Sequence, residues 1–231
     1  MIGWYGKLPS QGDFVSRRLP SEFIEPWDMW LQCGLAAVRA EFGEEAWLAR
    51  YLVAPIRRFW LAPGLLGASG WVGLLMPSVD RVGRHFPLTI AMALPGSTAD
   101  PGMAVIGLAA ALASPQWMAG IDQAARRVLD VQFTVEQFEA GLATIAPLSL
   151  EAADDEAAMQ LACELWAAPQ LRAIAGGTAS PAGADCAGSI WWCEDAGEAS
   201  QFLRFDALPP PEAFAALMSD AALPADSRSM R

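Results

Sequence analysis

Leu88-Thr89-Ile90-Ala91-Met92-Ala93-Leu94 carries no charge and a single hydroxyl. A strand with one solvated face alternates apolar and polar residues. This run is apolar at both parities, so it reads as a central strand covered on both sides. Two runs upstream have the same character. Arg57–Ala62 (RRFWLA) stops at Pro63-Gly64, and Trp71–Met76 (WVGLLM) follows a glycine-rich turn. The connections are short, which favours hairpins and antiparallel pairing over the long crossovers of a parallel sheet. At the N-terminus, Ile2–Tyr5 forms a first strand ending at Gly6. Near the other end, Ser189–Cys193 and Phe202–Phe205 flank Glu194–Ser200 as a β-hairpin. Strict alternation there predicts that one of Trp191 and Trp192 is buried and its neighbour exposed.

Between the strands the period changes from two to 3.6. A helix is expected from Pro26, because proline suits a first helical turn. Trp27, Trp30, Leu31, Leu35, Val38 and Phe42 mark its buried face, Gly43 ends it, and Glu44–Leu52 forms a second helix. Ser114-Pro115 opens a helix with Trp117, Ile121, Ala125 and Val128 on one side. Thr134 and Gln137 form a capping-box pair ahead of Phe138, Leu142 and Ile145. A further helix covers Asp154–Ala168 with Met159, Cys163 and Trp166 inward, and a last one lies near Glu212–Met218. The stretches Lys7–Leu19, Pro77–Phe86 and Gly176–Gly188 read as loops. The expected architecture is α/β: one mixed, largely antiparallel sheet flanked by helices, with a C-terminal β-hairpin. Residues 1–220 make a single domain, and 221–231 form a frayed tail.

Composition excludes several functions. Of 231 residues 54% are apolar and 18% charged, and ten are tryptophan, so most of the chain has enough apolar surface to fold around a core. A net charge of −11 opposes general binding to nucleic acid or to an anionic membrane. The cations are fourteen Arg and one Lys, a bias that suits carboxylate or phosphate recognition and equally suits GC-rich codon usage. The uncharged stretches Phe59–Val79 and Pro101–Ile121 are broken by Gly and Pro, short of the roughly 20 apolar residues a span needs. The first residues lack the basic and apolar regions of a signal peptide, so a cytoplasmic location is expected. Cys33, Cys163, Cys186 and Cys193 follow no CxxC spacing, and are expected to be reduced and mostly buried. With a single histidine they suggest no metal site and no cofactor.

Two loops concentrate the polar chemistry. The first runs Gly6-Lys7-Leu8-Pro9-Ser10-Gln11-Gly12-Asp13-Phe14, and the second Pro77-Ser78-Val79-Asp80-Arg81-Val82-Gly83-Arg84-His85-Phe86-Pro87. A catalytic reading takes Ser10 or Ser78 as nucleophile, His85 as base and Asp13 or Asp80 as its orienting partner. Ser78 sits in no GxSxG elbow, and nothing in the spacing brings His85 to either serine. Arg81 and Arg84 could grip a phosphate, but the glycine-rich strand–loop–helix signature is missing. The bland reading is a network in which Asp13 or Asp80 pairs with Arg81 or Arg84 to fix the loops. Asp154-Asp155 and Glu44-Glu45 are accounted for by the positive end of a helix.

Taken with their neighbours, these loops resemble the TagF family associated with bacterial type VI secretion. The resemblance rests on Gly3–Ser10, Gly12–Val15, Trp27–Leu31, Pro55 with Arg58-Phe59, Trp71, Gly73, Pro77–Arg84 and Phe86–Leu88. It covers Met1–Leu94 and thins from Pro101 onward, with only the Trp191-Trp192 hairpin still similar. The resemblance implies a three-layer α-β-α sandwich and a non-enzymatic, cytosolic, post-translational repressor of type VI secretion. Its implied partner is the system's forkhead-associated (FHA) scaffold protein, and FHA domains bind negative charge through basic clusters. Lys7, Ser10, Asp13, Ser78, Asp80, Arg81 and Arg84 are the candidate partner-binding residues, since loops carry function more often than strands do. The alternatives are a structural adaptor for assembly of the apparatus, or a phosphoryl- or acyl-transfer enzyme using the Asp/Arg loops.

Overall fold

The computed structural model describes residues 1–94, 101–167, 188–193 and 202–218. Seven strands form one sheet: β1 (Ile2–Gly6), β2 (Val15–Arg17), β3 (Arg57–Leu61), β4 (Gly70–Met76), β5 (Leu88–Leu94), β6 (Ser189–Trp192) and β7 (Phe202–Phe205). Their order is β2-β1-β5-β4-β3-β6-β7, and every neighbouring pair is antiparallel. The short connections of the β3–β4–β5 meander allow nothing else. Among the described residues seven helices form: α1 (Ser21–Phe42), α2 (Glu44–Val53), α3 (Pro101–Leu112), α4 (Pro115–Arg127), α5 (Val135–Ala143), α6 (Glu156–Ala167) and α7 (Phe214–Leu217).

Helices cover both faces, so the α/β reading with three layers holds. Trp4, Trp60, Val72, Leu74, Ile90 and Trp192 pack toward α3–α6, whereas Phe59, Leu61, Trp71, Ala91 and Trp191 pack toward α1, α2 and α7. Alternation thus sorts side chains between two cores rather than between core and water. Trp191 and Trp192 are accordingly both buried, at 0% and 4% exposure, against the expectation that one faces solvent. Some indole N–H groups find partners as they go under, whereas those of Trp47, Trp60 and Trp117 have none among the described residues. Trp27 donates to Thr89 Oγ1 at 2.8 Å, Trp30 to the Pro209 carbonyl at 2.7 Å and Trp71 to the Leu66 carbonyl at 2.9 Å. Arg57 ties the last helix to β3 by donating to the Leu217 and Ala216 carbonyls at 2.9 and 3.2 Å.

Several boundaries differ from the sequence reading, each for a local reason. The first helix starts at Ser21, not Pro26. The Pro20 carbonyl accepts from the Phe23 and Ile24 N–H groups, and Pro26, inside the helix, has no N–H to offer the fourth carbonyl before it. Its predicted buried face is correct through Val38, and Gly43, at φ 78°, ends it where a side chain would be strained. The Lys7–Leu19 loop contains β2, three residues paired with β1 (Trp4 opposite Arg17) and too short to show a period. Helix α3 had no expected counterpart. Ala104, Leu108, Ala109, Ala110 and Ala111 bury it nearly all round, which erases the stripe that betrays an amphipathic helix.

Thr134 and Gln137 do form a reciprocal capping box on α5, and Pro115 does open α4, though the Ser114 side chain caps nothing. Helix α6 begins at Glu156 behind a 3-10 turn (Leu150–Asp154), with Asp155 accepting from the Ala158 N–H at 2.8 Å. Its inward face is Ala158, Ala162 and Leu165. Met159 and Trp166 are half-buried and Cys163 is exposed, so the predicted face was rotated by about one residue. The last helix is a 3-10 turn (Pro211–Ala213) running into α7. Cys33 is exposed as well and Cys193 buried, so most described cysteines are not in the core. Cys186, Ala168, residues 176–187, 194–200 and 221–231 of the predicted segments lie outside the described residues. Among the described residues no single helix is long and apolar enough to cross a membrane. The apolar pair α3 and α4 is bent by 68° at its break.

Candidate functional site

The two polar loops leave β1 and β4 on neighbouring parts of the sheet and are laced into one knot. Loop one begins with a tight turn in which the Gln11 N–H donates to the Leu8 carbonyl at 2.9 Å, with Pro9 where such turns favour proline. Loop two is a short hairpin. The Asp80 N–H donates to the Arg84 carbonyl at 3.0 Å, the Phe86 N–H to the Ser78 carbonyl at 3.1 Å, and Gly83 takes the left-handed φ of 87° that the turn needs. Besides the Lys7–Asp80 ion pair, three hydrogen bonds cross between the loops among the described residues. Ser78 Oγ donates to the Lys7 carbonyl at 2.7 Å, the Arg81 N–H to the Gln11 carbonyl at 2.8 Å, and Arg84 Nη2 to the Gly12 carbonyl.

Asp80 is the centre of this knot. Its carboxylate is completely shielded and accepts four hydrogen bonds. Oδ1 takes the Val82 and Arg84 N–H groups at 3.0 and 2.9 Å; Oδ2 takes Arg84 Nε at 2.7 Å and the buried Lys7 Nζ at 3.0 Å. Burial pushes its pKa upward, but the bonds from the Arg84 N–H, Lys7, the Arg84 side chain and the Val82 N–H outweigh that push. The carboxyl is held well below the ordinary aspartate range. With its lone pairs taken, such a carboxylate is a structural ion and a poor proton acceptor at neutral pH.

Aromatic side chains support the knot from below. Phe14 packs edge-on against Phe86 at 4.8 Å, stacks on Tyr5 at 5.8 Å and lies 4.9 Å from Lys7 Nζ. Tyr51 reaches over from α2, its hydroxyl donating to the Ser78 carbonyl at 2.8 Å while accepting from the Ser78 N–H at 2.9 Å. Burial raises the Tyr51 pKa against the opposing effects of the Ser78 backbone bond and Arg39, so the phenol stays neutral. Tyr5 is also raised, by burial first and then by its bond to Asp28.

The structure therefore divides the seven candidates. Lys7, Ser78 and Asp80 are interior and joined; Arg84 is bonded into the knot at one end and 56% exposed along its side chain. Asp13 and Arg81 are exposed, and their side chains make no hydrogen bond or ion pair among the described residues; the Ser10 hydroxyl is likewise unbonded there. The ion pairing expected between Asp13 or Asp80 and Arg81 or Arg84 is realised only as Asp80–Arg84, with Lys7 as second cation. His85 lies edge-on to Trp47 and Tyr51, with ring centroids at 5.9 and 5.5 Å, while the Ser78 hydroxyl is engaged by Lys7. The sequence reading missed Tyr51, Phe14 and the outward-pointing Val82. The one available signal was scarcity, since the chain has only two tyrosines.

Grooves also lie elsewhere on the described residues, and two of them differ in character. One of about 650 Å³ is lined by Ser114, Trp117, Ile145 and Leu148, another of about 350 Å³ by Arg58, Asp122 and Arg126, and neither includes a candidate residue. Among the described residues no three His, Cys, Asp or Glu side chains gather as a metal site.

A helix-covered antiparallel sheet with an outward-facing loop knot at one end of its strands defines a three-layer α/β domain. Residues 3–145 match the family described as the TagF N-terminal domain, type VI secretion system-associated, and the chain belongs to that family. The match runs some fifty residues beyond Leu94, where the sequence resemblance thinned. Among solved structures, the chain is similar to PA0076 from Pseudomonas aeruginosa PAO1, with 31% identity, a TM-score of 0.71 and 98% of each chain covered. No curated protein matches the sequence.

Proposed function

We propose that this chain is a non-enzymatic, cytoplasmic, post-translational repressor of type VI secretion that acts by binding the FHA-domain scaffold component of the apparatus. Membership of the type VI secretion-associated family across residues 3–145 is the observation that carries the reading. The loop knot supports it. Its inner charges are consumed in holding shape, and its outer side chains sit on a surface instead of a cleft, which suits a protein partner better than a small substrate.

The test is calorimetry of the purified chain against the cognate FHA-domain protein, phosphorylated and unphosphorylated. Saturable binding at about 10 μM or tighter, roughly −7 kcal/mol, supports sequestration of the scaffold. No heat and no complex with either form removes it. Deleting the gene separates repression from assembly: a repressor's loss raises secretion, an adaptor's loss lowers it. His85→Ala is expected to keep scaffold binding, and to lower stability by no more than about 1 kcal/mol through lost ring contacts. If binding disappears while the thermal melt is unchanged, His85 has a direct role and the assignment of this site is wrong.

A further inference from the structure

Resting on the reading above, we infer that the scaffold contact runs through the paired loop tips, Asp13-Phe14 and Arg81-Val82, and that the partner surface is an apolar notch rimmed by carboxylates. Phe14 and Val82 are 44% and 66% exposed, two of the few large apolar side chains left in water. They are also held still. The Val82 N–H is bonded to Asp80 Oδ1 and the Phe14 ring is wedged against Phe86, so little ordering remains to oppose binding.

Charge specifies the other half of the fit. On a chain of net charge −11 the knot gathers three cations, Lys7, Arg81 and Arg84, against two carboxylates, Asp13 and Asp80. The sign is locally inverted. Lys7 is buried against Asp80, and Arg84 Nε and Nη2 are engaged by Asp80 and Gly12. Arg81 is different. Its backbone N–H is pinned to Gln11 at 2.8 Å, while its guanidinium makes no hydrogen bond or ion pair among the described residues. A positioned, unengaged guanidinium beside exposed apolar side chains is a fork for a carboxylate. The basic cluster with which FHA domains take phosphothreonine would repel this tip, so the contact falls elsewhere on the scaffold.

The test uses the full chain and the unphosphorylated scaffold, with Arg81→Glu, Arg81→Lys and Val82→Asp beside wild type. Neither side chain is built into the fold, so thermal melts of all four are expected to coincide. Arg81→Glu and Val82→Asp are each expected to weaken binding about tenfold or more, and Arg81→Lys by only a few-fold. A phosphothreonine peptide that saturates the FHA domain is expected to leave wild-type binding unchanged. If wild type binds and both disruptive variants bind equally well, the tips are not the contact, though the repressor reading survives. If wild type does not bind, both fall together. Dependence on Arg81 seen only with phosphorylated scaffold, or displacement by the peptide, overturns the carboxylate-rimmed notch.

Discussion

Asp80→Asn is expected to lower stability by about 3–5 kcal/mol at pH 7, the usual cost of removing one partner from a buried ion pair. The asparagine keeps the shape of the side chain but leaves Lys7, whose side chain is only 7% exposed, without a counter-charge. It also weakens the anchor that closes the turn through the Val82 and Arg84 N–H groups. Arg84→Ala removes a partner that is more than half exposed, so its expected cost is below about 1 kcal/mol. Urea unfolding measures both, and a loss under 1 kcal/mol for Asp80→Asn would show that the knot is not held by this charge.

The same residue predicts an acid signature. Its folded-state pKa is depressed relative to the unfolded chain, so the protonation-linked stabilisation is complete above about pH 4, the ordinary aspartate value, and is withdrawn as pH falls toward the folded-state value. Wild type and Asp80→Asn should therefore differ most near neutrality and converge between about pH 4 and pH 2. A gap that stays constant down to pH 2 contradicts the assignment. The prediction also bears on function: loss of partner binding in an Asp80 variant reports a collapsed knot, so contact residues must be sought among side chains such as Arg81.

How legible this was in the sequence depended on whether each constraint was local. The apolar runs of β3, β4 and β5 announced a central meander because burial on both faces removes polar residues at both parities. The face of α1 was visible as a 3.6-residue stripe, since only one side of that helix is covered. The same rule hid α3, which is buried nearly all round, and misdirected the expectation for Trp191 and Trp192. Alternation states that neighbours point to opposite faces; whether the second face is wet depends on α3–α6 packing there. In the loops, residue type correctly marked the two segments that meet, but the pairing was not readable. Asp80 lies near Arg81 and Arg84 in sequence, yet its buried cation is Lys7, more than seventy positions away. Tyr51 was invisible for the same reason: it sits on a helix face that shows only its spacing, and its clasp on Ser78 exists only after α2 docks.

Trp191→Ala is expected to cost about 3–5 kcal/mol, the range for truncating a buried large aromatic, and to sit at the upper end of that range. The side chain is fully buried, and its ring centroid lies 6.0, 5.3 and 5.4 Å from those of Trp27, Trp30 and Phe59. It therefore joins the C-terminal hairpin to α1 and to the middle of the sheet at once. Its indole also donates to Ser189 Oγ at 2.9 Å, a hydroxyl that in turn donates to the Ala207 carbonyl. Collapse around the cavity is opposed by neighbours that are themselves rigid rings, so little of the lost volume can be refilled. Trp192→Ala, on the opposite face, loses packing against Phe202 at 6.0 Å and is expected to cost less, because Phe202 is only half-buried and can shift. Denaturant unfolding of both variants orders the two faces. If Trp192→Ala proves the more costly, the α3–α6 side dominates the stability of the sheet; a loss below 1 kcal/mol for Trp191→Ala would detach the hairpin from the core altogether.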